Sequence, residues 1–545
     1  MKHGSSRKLA RSLGFWGALL LGLIIVWASF YNLSNHPDLW WDEAIFSKTA
    51  ANLVQYGRYA FTEQSPDQLS DFDYRISAGP AIILPVALAY RLLGVGLVQG
   101  RLVASLYLVF TFLALFLASR RVFGPTAAFL AVLLALGATD AVHWGRSVLG
   151  DVPALGLFLC ATWLIIRHLQ DDRPWSLFLG GLFLGLAFDA KEFYGLAFLP
   201  PLVVLTRRDW GAWRSLARTW FIFLAGVALP LLSYLAFKAV GLGGLLPAAA
   251  HFWEQKALLR HEFFTPLTIG RVYCECFRYL LTNPLYLTGL LGSLWLWRQG
   301  GLTLSRGLWV GNFLLWSLVY FTAIFWYRFA LPALFLATPL AAFVLCRALG
   351  RLTAGLAPWS LRWAAAGLLT GVCLWVFPVT GLEYLRTIAQ DQGHPPSRLV
   401  DYLKKRIPQR TLIETPEYEL VFLDNVHRIH LMPAFYIVES GEQGVKLLNP
   451  RRQPYNFNQV KADVLILGYF GKSIFAQIYS PAQVARYWRK VAQVDCYDIY
   501  VRRSSPLLRP PDTPVRLSAM PPLSVRQSKV QEAHGPDTLP HSFSH

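Results

Sequence analysis

Long apolar blocks are the feature of this sequence that most constrains its fold. Two of them are FWGALLLGLIIVWASFY at 15–31 and TWFIFLAGVALPLLSYLAF at 219–237. Each is close to the roughly 20 residues that an α-helix needs to cross a bilayer. Hydrophobic residues make up 54% of the 545 positions and charged residues 15%, whereas an ordinary globular chain has about 25% charged residues. Because one soluble core could not bury so much apolar surface, the sequence predicts a polytopic membrane protein and excludes a disordered one.

The basic residues predict how these blocks are oriented. The net charge is +19, and most of the basic side chains lie in short loops between apolar blocks, where the positive-inside rule applies. This distribution argues against a nucleic-acid partner and places the N-terminus inside and the C-terminus outside. The first block lacks a convincing cleavage site, so we expect a retained helix rather than a signal peptide. About eleven spanning helices are predicted, near residues 15–31, 98–119, 125–139, 151–168, 175–190, 193–206, 219–238, 279–297, 307–324, 328–346 and 363–381.

A further apolar stretch, 79–94, is predicted to lie in the membrane interface. Two internal prolines and Arg91 suit a surface position better than a lipid-buried span, and only this assignment keeps every later basic loop inside. The outer face then holds 32–97, 239–278 and everything after 382. The first of these outer segments has seven acidic and four basic side chains, so it is the expected place for chemistry.

The composition after residue 382 is that of a soluble protein. Strands are predicted at 411–415, 428–432, 462–468 and 496–503, and helices at 397–407 and 481–493. The predicted organisation is therefore a membrane domain at 1–384, a small α/β domain outside the membrane at 385–503 and a disordered tail at 504–545. Neither a glycine-rich nucleotide motif nor a zinc-type cysteine spacing is present, and the six cysteines do not indicate a disulfide framework.

The segment 36–61 is the most informative one for function. A helical pattern runs from Asp42 to Tyr56, with Gly57 as its stop signal. Asp42 and Glu43 open this helix just outside the membrane, behind two tryptophans. In one interpretation Asp42 caps the helix and the tryptophans form an interfacial belt. In the other, the helix dipole keeps Asp42 ionised and available as an acceptor of protons.

A second acidic position and several cations share the predicted outer face. Asp151, in GRSVLGDVPALG, begins a helix and is either an N-cap or a second site carboxylate. Cations at the membrane edge are costly unless they are paired, bound to an anion or snorkelling to lipid phosphate. The combination of carboxylates with cations indicates an anionic ligand, for which a lipid phosphate is the natural choice. The candidate cations are Lys191, Arg75, Arg58 and Arg328.

The pattern resembles the GT-C superfamily of polyprenyl-phosphate-dependent glycosyltransferases. It is most similar to the branch of protein O-mannosyltransferases and lipid A aminoarabinose transferases, over roughly residues 36–345. The motifs that carry the resemblance are the Asp42-Glu43 pair, the GP…LP…Y…G stretch at 79–94 followed by Arg101, SRRVFGPTAAFLAVLLAL at 119–136, RSVLGDVPAL, AKEFYG and RFALPALFLATPLA at 328–341.

The resemblance implies a mainly α-helical GT-C bundle that transfers a sugar from a polyprenyl phosphate to an acceptor hydroxyl with inversion. Asp42 would be the catalytic base, Glu43 would support its geometry or contact the acceptor, and Asp151 would orient the acceptor. Lys191, Arg75, Arg58 and Arg328 would stabilise the departing phosphate. A lipid-linked donor needs no soluble cofactor. A divalent metal near the acidic loop is left open, although no ligand spacing demands it.

The sequence departs from the family at two places. The aminoarabinose transferases have a lysine before the proline of the interfacial segment, whereas this chain reads Ser77-Ala78-Gly79-Pro80, so Arg75 is the expected substitute. The O-mannosyltransferases carry a β-trefoil domain in a later outer loop, and 239–278 is too short to hold one.

Two other function classes stay open at this point. One is a transporter or flippase of a lipid-linked substrate, although transporters usually show inverted repeats and charges at the midplane. The other is a receptor or scaffold whose outer domain binds a partner. For the enzyme, the acceptor is left as a protein, lipid or glycan of the cell envelope. Short loops suit the bacterial plasma membrane.

Overall fold

The structure is a computed structural model, and its described part is mainly helical. It describes residues 3–63, 68–263, 269–322, 327–354, 378–391, 393–432, 437–441, 444–448 and 455–508.

The α-helices of the described residues follow most of the predicted apolar blocks. In the first half of the chain they are α1 (His3–Phe30), α2 (Trp41–Tyr56), α3 (Pro80–Leu93), α4 (Leu97–Phe123), α5 (Pro125–Ala138), α6 (Ala141–Gly145), α7 (Asp151–Asp171), α8 (Pro174–Ala190), α9 (Leu199–Arg208) and α10 (Trp213–Gly241). In the second half they are α11 (Leu245–Phe263), α12 (Ile269–Thr282), α13 (Pro284–Arg298), α14 (Leu304–Thr322), α15 (Leu331–Ala354), α16 (Pro378–Gln390), α17 (Pro395–Arg406), α18 (Glu419–Leu423), α19 (Tyr469–Lys472) and α20 (Pro481–Tyr487). Short 3₁₀ helices lie at Glu192–Phe198, Tyr327–Ala330 and Pro506–Leu508.

Four of the described helices are long and apolar enough to cross a membrane. They are α4, α7, α10 and the helix Arg328–Arg351, which includes the turn before α15. Shorter apolar helices are formed by Trp16–Phe30, α3, Pro125–Gly137 and α8. The predicted block 363–381 lies largely outside the described residues, and the count of about eleven spans stays a prediction.

The centre of the helical part is α7. It packs against α4 and α8, and α8 packs in turn against α10, so that almost every side chain of α7 is buried. The 14 residues of α3 extend about 21 Å at 1.5 Å per residue, which is less than the roughly 30 Å of a bilayer core. Its length therefore suits the interfacial position that the charges predict.

Two strands follow α2 in the predicted outer loop. β1 (Ala60–Thr62) and β2 (Leu69–Asp71) pair antiparallel, with Ala60 opposite Asp71. This hairpin closes the loop back on α2, because Asn52 of α2 donates from its amide to the carbonyl of Ala60 at 2.9 Å and to the hydroxyl of Thr62 at 3.0 Å.

A mixed sheet forms the centre of the residues 393–503, which are called the C-terminal α/β segment below. Its strands stand in the order β4-β3-β7-β9-β8, with β4, β3 and β7 parallel and β9 and β8 antiparallel to their neighbours. The hairpin of β5 and β6 is separate. The strands are β3 (Leu412–Thr415), β4 (Arg428–Leu431), β5 (Ile437–Gly441), β6 (Gly444–Leu448), β7 (Val464–Leu467), β8 (Trp488–Val494) and β9 (Tyr497–Arg502).

The four predicted strands of this segment are confirmed, and one predicted helix is partly wrong. The helix expected at 481–493 ends at Tyr487, and Trp488–Val494 is the edge strand β8. The reason is tertiary: β8 pairs along its whole length with β9, and pairing with a neighbouring strand outweighs a weak helical pattern. The hairpin of β5 and β6 was not predicted from the sequence.

The chain divides into one compact unit at Met1–Arg503 and a second at Ser504–His545. The predicted boundary at 384/385 and the predicted disorder of the tail stay predictions, and residues 509–545 lie outside the described part.

Two buried glutamates of the C-terminal α/β segment make its stability depend on pH. Glu417 accepts hydrogen bonds from the backbone N–H groups of Gly468 at 2.7 Å and Gly471 at 2.8 Å, and Glu419 is buried beside it. Burial raises the pKa of Glu417 to about 7 and the pKa of Glu419 well above its usual 4.5. Because the folded chain then holds protons that the unfolded chain releases, stability falls as the pH rises from about 4.5 through about 7.

We expect Glu417→Gln to remove part of this pH dependence. The amide oxygen can keep the two hydrogen bonds from the glycines, and it carries no charge at any pH. The melting temperature of the variant in detergent should exceed that of the wild type at pH 8, and the difference should vanish towards pH 4.5. Asp401→Asn, at an exposed position, is the control. A difference that is the same at both pH values would contradict the assignment.

Candidate functional site

The helix that opens the outer loop forms as the sequence predicts. Gly57 follows α2 in the left-handed region at φ 68°, with its N–H donating to the carbonyl of Leu53 at 3.1 Å. The helix and its stop signal are therefore confirmed. Asp42 does not cap the helix, because Trp40 occupies the N-cap position and makes no side-chain capping hydrogen bond.

Asp42 forms an ion pair with Arg328 across 286 positions of sequence. The guanidinium Nη2 of Arg328 donates to Oδ2 of Asp42 at 2.6 Å. The side chain of Asp42 keeps 22% of its surface exposed, whereas that of Arg328 keeps 9%. The residues that the structure describes donate no hydrogen bond to the other oxygen, Oδ1. Asp42 is thus held in orientation through one of its two oxygens.

Asp151 lies close to this pair and is almost fully buried. It is the first residue of α7, after Gly150 at the N-cap position, so it is not the cap either. Its exposure is 4%, and neither carboxylate oxygen has a hydrogen-bond partner among the described residues. Its charge and that of Asp42 both attract the guanidinium of Arg328. A buried carboxylate without hydrogen bonds is costly, so the nearby cations stabilise its charge.

Lys191 completes a group of four charges. It stands between α8 and the following 3₁₀ helix, with 6% of its surface exposed. Its ammonium donates to the hydroxyl of Ser77 at 3.2 Å. Asp151 and Asp42 attract this ammonium, whereas Arg328 repels it. The structure therefore brings together Asp42, Asp151, Lys191 and Arg328, which are called the charged cluster below.

Two glycines allow the chain to come close enough to build the charged cluster. A Cβ atom at Gly79 would lie 1.6 Å from the carbonyl oxygen of Asp189, and one at Gly150 would lie 2.4 Å from that of Ala190. Both neighbours are backbone atoms at the end of α8, which cannot move aside cheaply. Glycine at these two positions thus lets the start of α3 and the start of α7 pack against the turn that carries Lys191.

Each member of the charged cluster lies at the end of a helix. Asp42 and Asp151 are in the first turns of α2 and α7, Lys191 directly follows α8, and Arg328 is in the turn before α15. Because the four side chains lie together, these four helix ends lie at one face of the helical bundle. The cluster therefore lies at a helix-end face and not in the middle of the helices.

Glu43 points away from this cluster into the protein. Its carboxylate accepts two hydrogen bonds from Arg101 of α4, both at 2.8 Å, and one from the backbone N–H of Val148 at 3.1 Å. Neither side chain of the ion pair is exposed. Of the two predicted roles, support of the geometry agrees with this position, whereas contact with an acceptor would require the pair to open.

Two buried arginines were not among the predicted site residues, although Arg101 belongs to the motifs that carry the resemblance. Arg101 also donates to the carbonyl of Leu33 at 2.9 Å. Arg146 donates to the carbonyls of Ala28, near the end of α1, and of His36 at 2.9 Å. Together they tie the end of α1 and the start of the outer loop to α4 and to the turn before α7. An arginine within an apolar stretch needs a partner, and that rule could have revealed both.

Arg75 and Arg58 are engaged elsewhere. The guanidinium of Arg75 donates to both carboxylate oxygens of Asp73 at 2.7 and 2.8 Å and lies 3.5 Å from the ring centre of Phe61. Arg58 pairs with Asp71 at 2.6 Å at the surface. Their contacts with described residues do not include any member of the charged cluster. The structure places Lys191 beside Ser77, where the sequence led us to expect Arg75 to supply the cation.

The predicted divalent metal has no three-ligand protein site in the part of the chain that the structure describes. Among the described residues, no group of three or more histidine, cysteine, aspartate or glutamate side chains is placed to hold a metal ion. One oxygen of Asp42 is already held by Arg328.

Comparison with known proteins supports the architecture. A family profile described as dolichyl-phosphate-mannose-protein mannosyltransferase matches residues 77–237. The structure is similar to that of ArnT from Cupriavidus metallidurans bound to undecaprenyl phosphate, with a TM-score of 0.57 and 16% identity over 92% of this chain and 99% of that one. The chain has the GT-C fold. The resemblance predicted from the sequence is confirmed.

The GT-C fold is also shared by a second, more distant group. The archaeal oligosaccharyltransferase AglB from Archaeoglobus fulgidus, in complex with an inhibitory peptide and a dolichol-phosphate, has a TM-score of 0.57 and 11% identity, over 92% of this chain and 75% of that one. None of the curated proteins compared matches the chain in sequence.

Proposed function

We propose that the chain is an integral membrane glycosyltransferase that moves a sugar from a polyprenyl phosphate to an acceptor hydroxyl with inversion. The observation that carries the proposal is the charged cluster. Four separate segments bring two carboxylates and two cations together at one helix-end face, and the buried carboxylate of Asp151 has no hydrogen-bond partner among the described residues. The solved structures of the same fold that contain a polyprenyl phosphate support the class of donor.

The chemistry follows from the two kinds of charge. Asp42 accepts the proton of the acceptor hydroxyl on Oδ1, the oxygen that Arg328 does not bind, while the acceptor oxygen forms a bond to the anomeric carbon. The bond from that carbon to the phosphate oxygen breaks on the opposite side, and its electron pair leaves with the polyprenyl phosphate. Lys191 and Arg328 stabilise the charge that develops on this phosphate. Asp151 accepts a hydrogen bond from the acceptor and fixes its approach.

An apolar cavity between α9 and α14 suits a polyprenyl chain. It has a volume of about 350 Å³ and is lined entirely by apolar residues. These residues include Leu199 and Val204 of α9 and Gly307 and Leu318 of α14. The short 3₁₀ helix Glu192–Phe198 leads from Lys191 to the first residue of this lining. The cavity and the cluster are thus joined by one short segment of the chain.

The transporter or flippase that the sequence left open gains no support from the geometry. Transport paths place charges within the span, whereas the charged cluster lies at helix ends. Trp40 and Trp41 contact the C-terminal α/β segment, so this segment lies at the same face as Asp42. We place that face outside a bacterial plasma membrane, with the acceptor a component of the cell envelope.

The proposal is tested by offering defined donors to the purified full-length chain. A panel of undecaprenyl phosphates that carry mannose, glucose or aminoarabinose is incubated with the protein and a cell-envelope fraction, and transfer is followed by mass spectrometry of both donor and acceptors. We expect one donor to be consumed with release of undecaprenyl phosphate. No consumption of any member, by a chain that binds undecaprenyl phosphate, would overturn the proposal.

Lys191→Met is expected to weaken the binding of undecaprenyl phosphate about 10- to 100-fold, because a hydrogen bond to a charged group contributes about 1.5–3 kcal/mol. The methionine keeps most of the length of the side chain and removes the ammonium, with its charge and its hydrogen-bond donors. Binding is measured by the shift in melting temperature with lipid concentration. Arg58→Gln is the matched control and should bind like the wild type, since its guanidinium already pairs with Asp71. Equal binding of undecaprenyl phosphate by Lys191→Met and the wild type would show that Lys191 does not bind the phosphate.

A further inference from the structure

The helix that carries Asp42 is held at its start by the C-terminal α/β segment. The first N–H groups of a helix need partners from outside the helix, and the N-cap residue of α2 provides none with its side chain. Contacts with three parts of the distant segment surround this start. They come from His394, from Pro416 with Phe470, and from Tyr418.

His394 accepts a hydrogen bond from the backbone just before α2. The N–H of Leu39 donates to its Nε2 at 3.0 Å, and Nδ1 lies 2.8 Å from the hydroxyl of Ser397. A backbone N–H can only donate, so Nε2 accepts the hydrogen bond from Leu39. The backbone N–H of Ser397 also points at Nδ1, at 3.2 Å, where His394 caps the start of α17. Burial, followed by the charges of Arg101 and Arg398, lowers the pKa of His394 to about 3. The imidazole therefore stays neutral and able to accept at any ordinary pH.

The second contact is with the first residue of α2. The indole N–H of Trp41 donates to the carbonyl of Pro416 at 3.2 Å. The ring of Phe470 lies 5.5 Å from the ring of Trp41 and 5.5 Å from that of Trp40. Aromatic contacts at this distance restrict both tryptophans, which directly precede Asp42.

Tyr418 links the same segment to the strands behind α2. Its hydroxyl donates to the carbonyl of Thr62 at 3.2 Å and accepts from the N–H of Thr62 at 3.3 Å. The hydroxyl of Thr62 in turn accepts from Asn52 of α2. The side chain of Tyr418 is buried, so the link is shielded from water.

We propose that His394 and Tyr418 are positioning residues for Asp42, and that the C-terminal α/β segment is part of the catalytic unit. This inference rests on the proposed function, in which Asp42 accepts the proton of the acceptor. A base is effective only when it is held in the productive geometry, and a displacement of about 1 Å can cost about 10²-fold in rate. The three contacts fix both the start of α2 and the hairpin packed behind it.

The test compares four variants of the full-length chain with the donor that supports transfer in the panel above. Tyr418→Phe removes only the hydroxyl that binds Thr62, and His394→Phe removes the acceptor for Leu39. His394→Gln restores an acceptor at a similar distance. Tyr479→Phe is the matched control, because it removes a buried hydroxyl that binds Glu414 within the same segment at 2.7 Å and does not touch α2.

We expect Tyr418→Phe and His394→Phe to lower kcat about 10- to 100-fold while the KM for the donor stays unchanged, since the lost contacts act on the base and not on donor binding. His394→Gln should recover most of the kcat, and Tyr479→Phe should keep the wild-type kcat. An equal loss of kcat in Tyr479→Phe and Tyr418→Phe would show a general effect on folding and overturn the inference. If His394→Phe does not fold, the comparison of the two tyrosine variants decides.

Asp42→Asn, measured alongside, separates this inference from the proposed function. Loss of transfer in Asp42→Asn together with a wild-type kcat in Tyr418→Phe and His394→Phe overturns the positioning role and leaves the proposed function intact. Retained transfer in Asp42→Asn overturns the base role, and the positioning role is overturned with it.

Discussion

Asp42→Asn is expected to lower the rate of sugar transfer by about 10²- to 10⁴-fold, the range that a positioned general base contributes. The amide cannot accept the proton of the acceptor hydroxyl. Its oxygen can still accept the hydrogen bond that Arg328 now donates to Oδ2 at 2.6 Å, so the start of α2 should keep its place. Transfer is measured with the donor identified in the panel, at equal amounts of purified, correctly inserted protein.

The matched control for this variant is Asp71→Asn. Asp71 belongs to the same outer loop and also pairs with an arginine, but it contacts no member of the charged cluster. It should therefore transfer at nearly the wild-type rate. The binding of undecaprenyl phosphate by Asp42→Asn should stay close to that of the wild type, which would show that chemistry and not the donor site is lost. Transfer by Asp42→Asn at the rate of Asp71→Asn would rule out Asp42 as the base.

Asp151→Asn extends this comparison to the second carboxylate. In the proposed mechanism it orients the acceptor, so its replacement should raise the KM for the acceptor more than it lowers kcat. A loss of kcat as large as that of Asp42→Asn would instead favour Asp151 as the base.

Local signals were sufficient to predict most of the apolar helices and the four strands β3, β4, β7 and β9. The helix of Asp42 and its stop at Gly57 were predictable because both depend on residues that are close in sequence. These are the helical pattern itself and the glycine that adopts the left-handed conformation directly after it. The residues 488–493 were wrongly assigned to a helix because their partner strand decides their conformation, and an edge strand carries no clear periodicity of its own. The hairpin of β5 and β6 was not predicted for the same reason, because each of its strands is defined by pairing with the other.

The members of the charged cluster could be nominated from the sequence, but their partners could not. Asp42, Asp151, Lys191 and Arg328 were chosen because a charge at the edge of an apolar block is costly. That rule does not distinguish a cation of the cluster from one that is neutralised nearby. Arg75 has a carboxylate two positions before it in the sequence, at Asp73, and the structure pairs them. The pairing of Asp42 with Arg328 bridges 286 positions, and only the tertiary fold could reveal it.

Arg101→Met is expected to destabilise the chain by about 3–5 kcal/mol, the cost of breaking a buried ion pair by removing one partner. Glu43 would be left as a fully buried carboxylate, with only the backbone N–H of Val148 still donating to it at 3.1 Å. The carbonyl of Leu33 would lose its donor as well. Stability is measured from unfolding by denaturant in mixed micelles. Arg121→Met, which breaks a half-exposed pair with Asp171, is the control and should cost about 1 kcal/mol or less.

The double variant Glu43→Leu with Arg101→Met separates the two roles predicted for Glu43. Replacing both partners of a buried ion pair by apolar side chains is often neutral or stabilising, so the double variant should recover much of the lost stability. If Glu43 only supports the geometry of α2, transfer should recover with stability, to within about tenfold of the wild type. If Glu43 instead contacts the acceptor, the double variant will be stable and inactive. A stable, inactive double variant with an intact donor site would therefore show that Glu43 contacts the acceptor, despite its burial in the present structure.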